Sequence, residues 1–361
     1  MPLQTTKEII INPFFSKGLP ADNGIDLVST NVESVRDLLK HCPKADRTPL
    51  TISPELAQKI GVQNLWFKDE RERMGLGSFK ALGAAYVIAS HAADVTPMDS
   101  SYEIWEKSLN GTTYVTASAG NHGLSLAAGA RLFGAKAVIY FSKTVPKSFA
   151  DKIKSYGADV IIAGNNYEES MFHAQKAAKD NNWILLSDVT WDGYDMGLKV
   201  MEGYLAAAAE AYEDCPNIPS HIFLQCGVGG FAASMAAYAR KIYGNGPKII
   251  IVEPTKAPVV IESIKAGKAV EVVGDVSNMG RLDCKAPSTR ALSSLARTST
   301  HFMTITDEDA SECLNELEQH GFETSPSGGA GYAGLIEAIN QNQLELNSSS
   351  NVMLFLTEIP A

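Results

Sequence analysis

No run of apolar residues in this 361-residue chain reaches the roughly 20 needed to cross a bilayer, so a membrane-spanning helix is not expected. The N-terminus, Met1-Pro-Leu-Gln-Thr-Thr-Lys-Glu-Ile-Ile10, lacks a basic start, an apolar core and a small-residue cleavage site, which argues against a secretory leader. Basic residues are in deficit. Lys and Arg number 31 against 41 Asp and Glu, a net charge of −10, and nucleic acid, which needs a basic field, is not expected as a partner. The acidity is read as an aid to solubility. Cysteines are few and scattered: Cys42, Cys215, Cys226, Cys284 and Cys313 form no CxxC pair. Neither a disulfide framework nor a zinc or other metal site is expected, and a reducing cytoplasm fits best. Internal repeats, coiled-coil heptads and low-complexity tracts are lacking too.

What is present reads as a globular α/β chain. Hydrophobic residues make up 45% and charged residues 20%, and the length allows two lobes with a large core. Short apolar runs predict strands at 64–68, 113–116, 137–141, 159–163, 183–186, 221–225, 248–253 and 351–357. Between them, helical patterns fall at 79–92, 123–133, 148–156, 167–181, 194–213, 231–243, 307–319 and 331–341. Buried runs of this length between amphipathic helices imply α/β layers with mainly parallel sheets. Gly134-Ala-Lys-Ala-Val-Ile-Tyr-Phe141 and Gly157-Ala-Asp-Val-Ile-Ile-Ala-Gly164 look like consecutive strand entries in one small sheet. We therefore expect a small lobe over 83–187, inserted into a large lobe made of 1–82 and 188–361.

Three segments carry the chemistry. Gly75-Leu-Gly-Ser-Phe-Lys-Ala-Leu-Gly83 sets one lysine, Lys80, among small and apolar neighbours, with no acid within four positions. Such a lysine either snorkels to the surface or is a desolvated amine, a nucleophile able to form a Schiff base. Gln225-Cys-Gly-Val-Gly-Gly-Phe231 follows an apolar strand and opens a small-residue helix. Its glycines let the backbone approach an anion, and the helix start supplies N–H donors, so a phosphate site is the natural reading. The same residues, Gly227-Val-Gly-Gly-Phe-Ala232, also fit a GxGxxA dinucleotide pattern, with Glu253 at the end of the next strand as the ribose-binding acid. That nicotinamide reading leaves Lys80 without a role. Thr116-Ala-Ser-Ala-Gly-Asn-His-Gly123 presents backbone N–H groups and Asn121 to a bound ring or carboxylate; as a plain helix start, Ser118 or Asn121 would cap it. His122 is read as a packing or hydrogen-bonding residue. In Glu323-Thr-Ser-Pro-Ser-Gly-Gly-Ala-Gly-Tyr332, Ser327 offers one directed hydrogen bond or an ordinary N-cap.

In this order the segments resemble the pyridoxal-phosphate enzymes of the tryptophan synthase β-like superfamily (fold type II), and within it the diaminopropionate ammonia-lyase branch. The likeness covers nearly the whole chain, from Arg47-Thr-Pro-Leu50 and Phe67-Lys-Asp-Glu-Arg-Glu-Arg-Met-Gly-Leu-Gly-Ser-Phe-Lys80 through Thr190-Trp-Asp-Gly-Tyr194 to Ile251-Val-Glu-Pro254 and Ser327-Gly-Gly-Ala-Gly331. It implies a two-lobed, three-layer α/β fold and pyridoxal 5'-phosphate as cofactor. Lys80 would be the Schiff-base lysine and Asn121 the partner of the phenolic oxygen. Gly227, Val228, Gly229 and Gly230 would cradle the phosphate, and Ser327 would face the pyridine nitrogen. A neutral serine there makes the ring a weaker electron sink, which suits elimination of a β-substituent. Ser118, Ala119, Gly120 and His122 would line the substrate, and Asp188 would hold its ammonium or protonate the leaving amine. A homodimer is usual for the family.

One departure bears on the substrate. The ammonia-lyases typically carry an aspartate immediately before the Gly-Asn-His-Gly turn, as base for the D-isomer, where this chain has Ala119. Preference for L-substrates follows, and racemisation is disfavoured. The implied reaction is β-elimination of ammonia from a small L-amino acid, L-2,3-diaminopropionate first, through an aminoacrylate to a 2-oxo acid. Ser118-Ala-Gly-Asn-His resembles the turn of threonine dehydratases, so a serine or threonine dehydratase is the alternative. A nicotinamide dehydrogenase and a non-catalytic ligand-binding relative remain more distant readings. No C-terminal regulatory module is expected beyond 351–361.

Overall fold

The computed structural model describes residues 6–22, 25–42, 44–143 and 145–360; residues 1–5, on which part of the reading of the N-terminus rests, lie outside them. Among the described residues, strands fall at Ile9–Ile11 (β1), Leu50–Ile52 (β2), Asn64–Asp69 (β3), Thr113–Ala117 (β4), Lys136–Phe141 (β5) and Asp159–Ile162 (β6). Five more follow at Ile184–Leu185 (β7), His221–Gln225 (β8), Lys248–Pro254 (β9), His301–Ile305 (β10) and Asn351–Leu356 (β11). They build two sheets: seven strands in the order β1-β10-β9-β8-β11-β3-β2, and four in the order β6-β5-β4-β7. The four-stranded sheet is parallel throughout. In the seven-stranded sheet only the edge strands β1 and β2 run antiparallel.

Strand alternation explains the three layers. Along β8, Ile222 and Leu224 enter one core and Phe223 the other; β9 divides Ile249 and Ile251 from Ile250 and Val252 in the same way. Both faces of the central strands are therefore apolar, as a sheet covered by helices on each side requires. The helix Gly230–Tyr243 covers one face, and Pro326–Asn340 with Asp307–Gln319 covers the other. In the smaller sheet Tyr114 and Ile139 join the first core while Val115 and Val138 face Ala174 on the helix Tyr167–Asn181.

Three strands escape the sequence reading. β1 and β2 have three residues each, too few for alternation to show, and their outer residues Ile11 and Ile52 are exposed. β10 is preceded by a polar Ser/Thr run that masks its apolar core. Helices at Glu33–Leu39, Pro54–Ile60, Tyr102–Trp105, Val259–Ala266 and Thr289–Thr298 were likewise not expected. The helix predicted over 194–213 is instead two, Met196–Gly203 and Leu205–Glu213. At the junction Gly203 packs directly on the turn carrying Lys80: an added Cβ would stand 2.3 Å from the Leu82 carbonyl oxygen. A Cβ on Gly83 would stand 2.7 Å from the Tyr204 ring.

A buried ionic network ties β3 to the helix Leu205–Glu213. The Lys68 ammonium donates to Glu210 at 2.7 Å, and the Arg73 guanidinium donates to Glu70 at 2.7 and 2.8 Å and to Glu210 at 2.6 and 3.0 Å. Thr48 completes it, donating its hydroxyl to Glu70 and its N–H to Glu210. Every charge in the group has an opposite partner, as burial demands.

Candidate active site

Lys80 sits on the 3-10 turn Phe79–Leu82, which the C-terminal segment holds in place. The Phe79 N–H donates to the Thr357 carbonyl at 3.1 Å, and Ser78 pairs with Glu358 in an isolated antiparallel bridge. The Phe79 ring packs between Tyr204 and Phe231, with centroids at 4.9 and 4.5 Å. From this anchored turn the half-buried Lys80 amine reaches Asp188, Nζ to Oδ2 2.6 Å. The lysine that looks isolated in sequence is thus paired with an acid from the loop after β7. Burial opposes ionisation of Asp188, yet the Lys80 charge beside it holds its carboxyl well below the usual carboxylate range.

The second segment leaves β4 and turns tightly into the helix Asn121–Leu132. A Cβ at Gly123 would stand 2.1 Å from the Ser118 carbonyl oxygen, so glycine is required there. The N-cap is Gly120, without a side-chain cap, so neither Ser118 nor Asn121 caps the helix. Instead Asn121 donates its amide to Glu358 Oε2 at 2.5 Å. His122 is buried with Nε2 2.9 Å from the Leu186 carbonyl, which assigns the proton to Nε2, while Nδ1 has no partner among the described residues. Burial lowers its pKa, keeping the imidazole neutral. Ala119 and Gly120 line a small open cavity beside the turn. The Ser118 side chain makes no hydrogen bond among the described residues.

The glycine loop leaves β8 and enters the helix Gly230–Tyr243 through Gly229, whose φ of 104° lies in the left-handed region. The N–H groups of Gly229, Gly230 and Phe231 have no acceptor among the described residues. These are the orphan donors that an anion at a helix start would take up. Segment 281–284, which sequence reasoning missed, closes the cradle from outside. A Cβ at Gly227 would lie 3.0 Å from Cys284 Sγ and 3.1 Å from the Arg281 carbonyl oxygen. Burial pushes the Cys284 thiol up to about 12, so it stays protonated. The N–H of Arg281 donates to Ser327 Oγ at 3.0 Å. Ser327 lies inside the helix Pro326–Asn340, whose N-cap is Ser325, so Ser327 caps nothing.

Contacts join these pieces into one site. Asp188 bonds Lys80, and its carbonyl lies 3.8 Å from a Cβ placed on Gly230; Arg281 links Gly120, Gly227 and Ser327; Glu358 links Asn121 to the segment before Lys80. The Asn turn, the glycine loop, Asp188 and Glu358 all follow the C-terminal ends of parallel strands, where open α/β sheets bind ligands. Glu358 and Arg281 are the main side chains that sequence reading overlooked. The position of Glu358 just past a strand end was the available signal for it, while Arg281 lies in an irregular loop with none.

The residues suit a pyridoxal phosphate: unpaired N–H donors in a glycine cradle for the phosphate and a reachable lysine amine for the carbonyl. They do not suit a nicotinamide dinucleotide. Glu253 is fully buried and accepts the N–H groups of Val260 and Ile261, both at 2.7 Å, so it holds a helix start and is closed to a ribose. Burial pushes its carboxyl from 4.5 up to about 8, against the pull of those donors. A raised folded pKa adds stability below the unfolded value, and that stability is lost as pH rises from 4.5 through 8. We expect the stability of wild type relative to Glu253→Gln to fall with pH across that window, by up to about 1.4 kcal/mol per pH unit. Denaturant midpoints of both proteins at pH 5, 6.5 and 8 measure this, and a difference independent of pH would refute it.

A two-sheet α/β fold with a lysine on an anchored turn, an asparagine turn and a glycine cradle defines the class of pyridoxal-phosphate enzymes of fold type II. The comparisons place the chain accordingly: the family model "Pyridoxal-phosphate dependent enzyme" matches residues 43–358, and the protein belongs to that family. It is an enzyme whose cofactor is pyridoxal 5'-phosphate. The diaminopropionate ammonia-lyase of Salmonella typhimurium is 32% identical over 92% of this chain and 90% of that protein. A catabolic L-threonine dehydratase of Staphylococcus aureus is 28% identical over 80% and 76%. The crystal structure of the Escherichia coli diaminopropionate ammonia-lyase in complex with D-serine matches with a TM-score of 0.88 and 28% identity, covering 99% of this chain and 95% of that one.

Proposed function

We propose that this chain is a carbon–nitrogen lyase that eliminates the β-amine of a small L-amino acid, with L-2,3-diaminopropionate the first substrate to test. The observation that carries the reading is the Lys80–Asp188 pair, a base and a potential acid 2.6 Å apart in one site. The bound cofactor supplies an electron sink that acidifies the α-carbon of the attached amino acid. Gly227, Val228, Gly229 and Gly230 hold its phosphate and Asn121 its phenolic oxygen. Ser327, whose oxygen already accepts the Arg281 N–H, keeps its own hydrogen for the ring nitrogen. Lys80, once released from the cofactor, takes the α-proton.

Asp188 then has a defined part. Its carboxyl is ionised because the Lys80 charge outweighs burial. When Lys80 is neutral that restraint is gone, burial dominates and the carboxyl can bind a proton for delivery to the leaving amine. Ser118, Ala119, Gly120 and His122 frame the substrate, and the absence of a carboxylate at 119 leaves Lys80 as the α-proton base, which favours the L-isomer. We take residues 83–187 as the small lobe, 1–82 and 188–361 as the large one, a homodimer as the working assembly and the cytoplasm as its location. Among the described residues no helix is long and apolar enough to cross a membrane.

Keto-acid release from the pyridoxal-phosphate-loaded enzyme tests the reading, with L- and D-2,3-diaminopropionate, L-serine and L-threonine offered separately. Pyruvate from L-diaminopropionate, with little from its D-isomer, is the expected result. Activity confined to the hydroxy amino acids would favour a dehydratase, the reading to which the Ser118-Ala-Gly-Asn-His turn and the dehydratase relative point. Silence on all four would refute both.

A further inference from the structure

The cavity beside the Asn turn has a charge balance that the proposed elimination does not use. Its charged lining residues are Arg281, Lys152 and Glu358. Glu358 is already engaged: Ser325 donates to one carboxylate oxygen, and Asn121 donates to the other at 2.5 Å. Arg281 Nε stands 3.6 Å from that second oxygen, beyond hydrogen-bond length. Neither terminal nitrogen of Arg281 has a hydrogen-bond partner among the described residues, and Lys152 has no ion pair among them. Among the described residues, Lys152 thus faces the cavity without an ion pair, and Arg281, ion-paired with Glu358 only through Nε, keeps both terminal nitrogens free for a ligand.

Arg281 is also mounted to receive something. Its N–H is fixed by Ser327 at 3.0 Å, and its carbonyl packs against Gly227. The guanidinium lies 5.7 Å from the Phe149 ring centroid, which orients it. Its terminal nitrogen sits so close to the turn that a Cβ at Gly120 would approach it to 3.1 Å. Ala119, next to it, offers no counter-charge. A planar fork of donors over a turn whose neighbour, Asn121, is assigned to the cofactor matches a carboxylate better than any cation.

We propose that Arg281 is a substrate-binding residue that receives a carboxylate of the amino acid, with Lys152 reinforcing the positive field. This rests on the reading of the chain as an amino-acid enzyme and is independent of which group leaves. The carboxylate is either the one on the α-carbon or one on the side chain, and binding of unreactive amino acids separates the two.

The test titrates the loaded enzyme with L-alanine, L-alaninamide and L-aspartate, none of which carries a β leaving group, and reads binding from the visible absorption of the cofactor. With the α-carboxylate as the target, Arg281→Gln weakens L-alanine and L-aspartate by roughly 10- to 100-fold and leaves L-alaninamide unchanged. With a side-chain carboxylate as the target, only L-aspartate weakens. Arg281→Lys, which keeps the charge and loses the fork, recovers part of the affinity in either case. Equal affinities in wild type and Arg281→Gln for all three ligands would overturn the proposal, as would an equal loss for all three. A wild-type enzyme that binds none of them fails the amino-acid reading itself, and the proposal with it.

Discussion

Lys80→Ala is expected to abolish keto-acid release, with kcat lower by at least roughly 10⁴ and no visible absorption from lysine-linked cofactor. A general base alone is worth about 10² to 10⁴, and in the proposed mechanism the same amine also captures the cofactor. The loss is chemical, since the side chain is half-buried and its one polar contact among the described residues is the Asp188 pair. Lys80→Arg sharpens the point. It preserves a cation beside Asp188 but cannot act as an amine nucleophile, so it too is expected to be inactive. Wild-type rates in either variant would remove Lys80 from the mechanism. A folded Lys80→Ala protein that still binds pyridoxal phosphate through the glycine cradle would separate cofactor binding from catalysis.

Glu210→Ala is expected to cost about 3–5 kcal/mol of stability, the range for breaking a buried ion pair from one side. Glu210 accepts from Lys68, Arg73 and the Thr48 N–H, and its removal leaves two buried cations with Glu70 as their remaining acid. Burial works against its ionisation, but Arg73 and Lys68 overcome it and lower its pKa. The sign follows: this stability is present above the unfolded carboxylate pKa and is lost as pH falls through the depressed one. Denaturant unfolding at pH 7 measures the loss, and a change below 1 kcal/mol would mean the network is replaceable. Because β3 leads through Arg73 to the turn bearing Lys80, a weakened cofactor affinity in the same variant is the accompanying expectation.

The site was legible in sequence wherever its chemistry is local. The glycine loop and the asparagine turn each need small residues at fixed spacing, because a Cβ at Gly227 or Gly123 meets neighbouring atoms at 3.0 Å or less. Lys80 stood out for its apolar neighbours. Local reading also misled. Glu253 has the spacing of a ribose-binding acid, yet the fold buries it under two backbone donors. The helix predicted over 194–213 breaks where Gly203 presses on Leu82, a contact between elements more than a hundred residues apart.

By itself, then, the sequence determined the α/β layering, the central strands, the lysine and the two small-residue turns, because each rests on the chemistry of neighbouring residues along the chain. The partners were decided only by tertiary structure. Asp188 reaches Lys80 across 108 positions, Glu358 reaches Asn121 across 237, and Arg281 spans three motifs from an irregular loop. The physical reason is that charge pairing acts through space: whether an acid is a surface carboxylate or the counter-ion of a lysine amine depends on what folding sets beside it and on how much water it excludes.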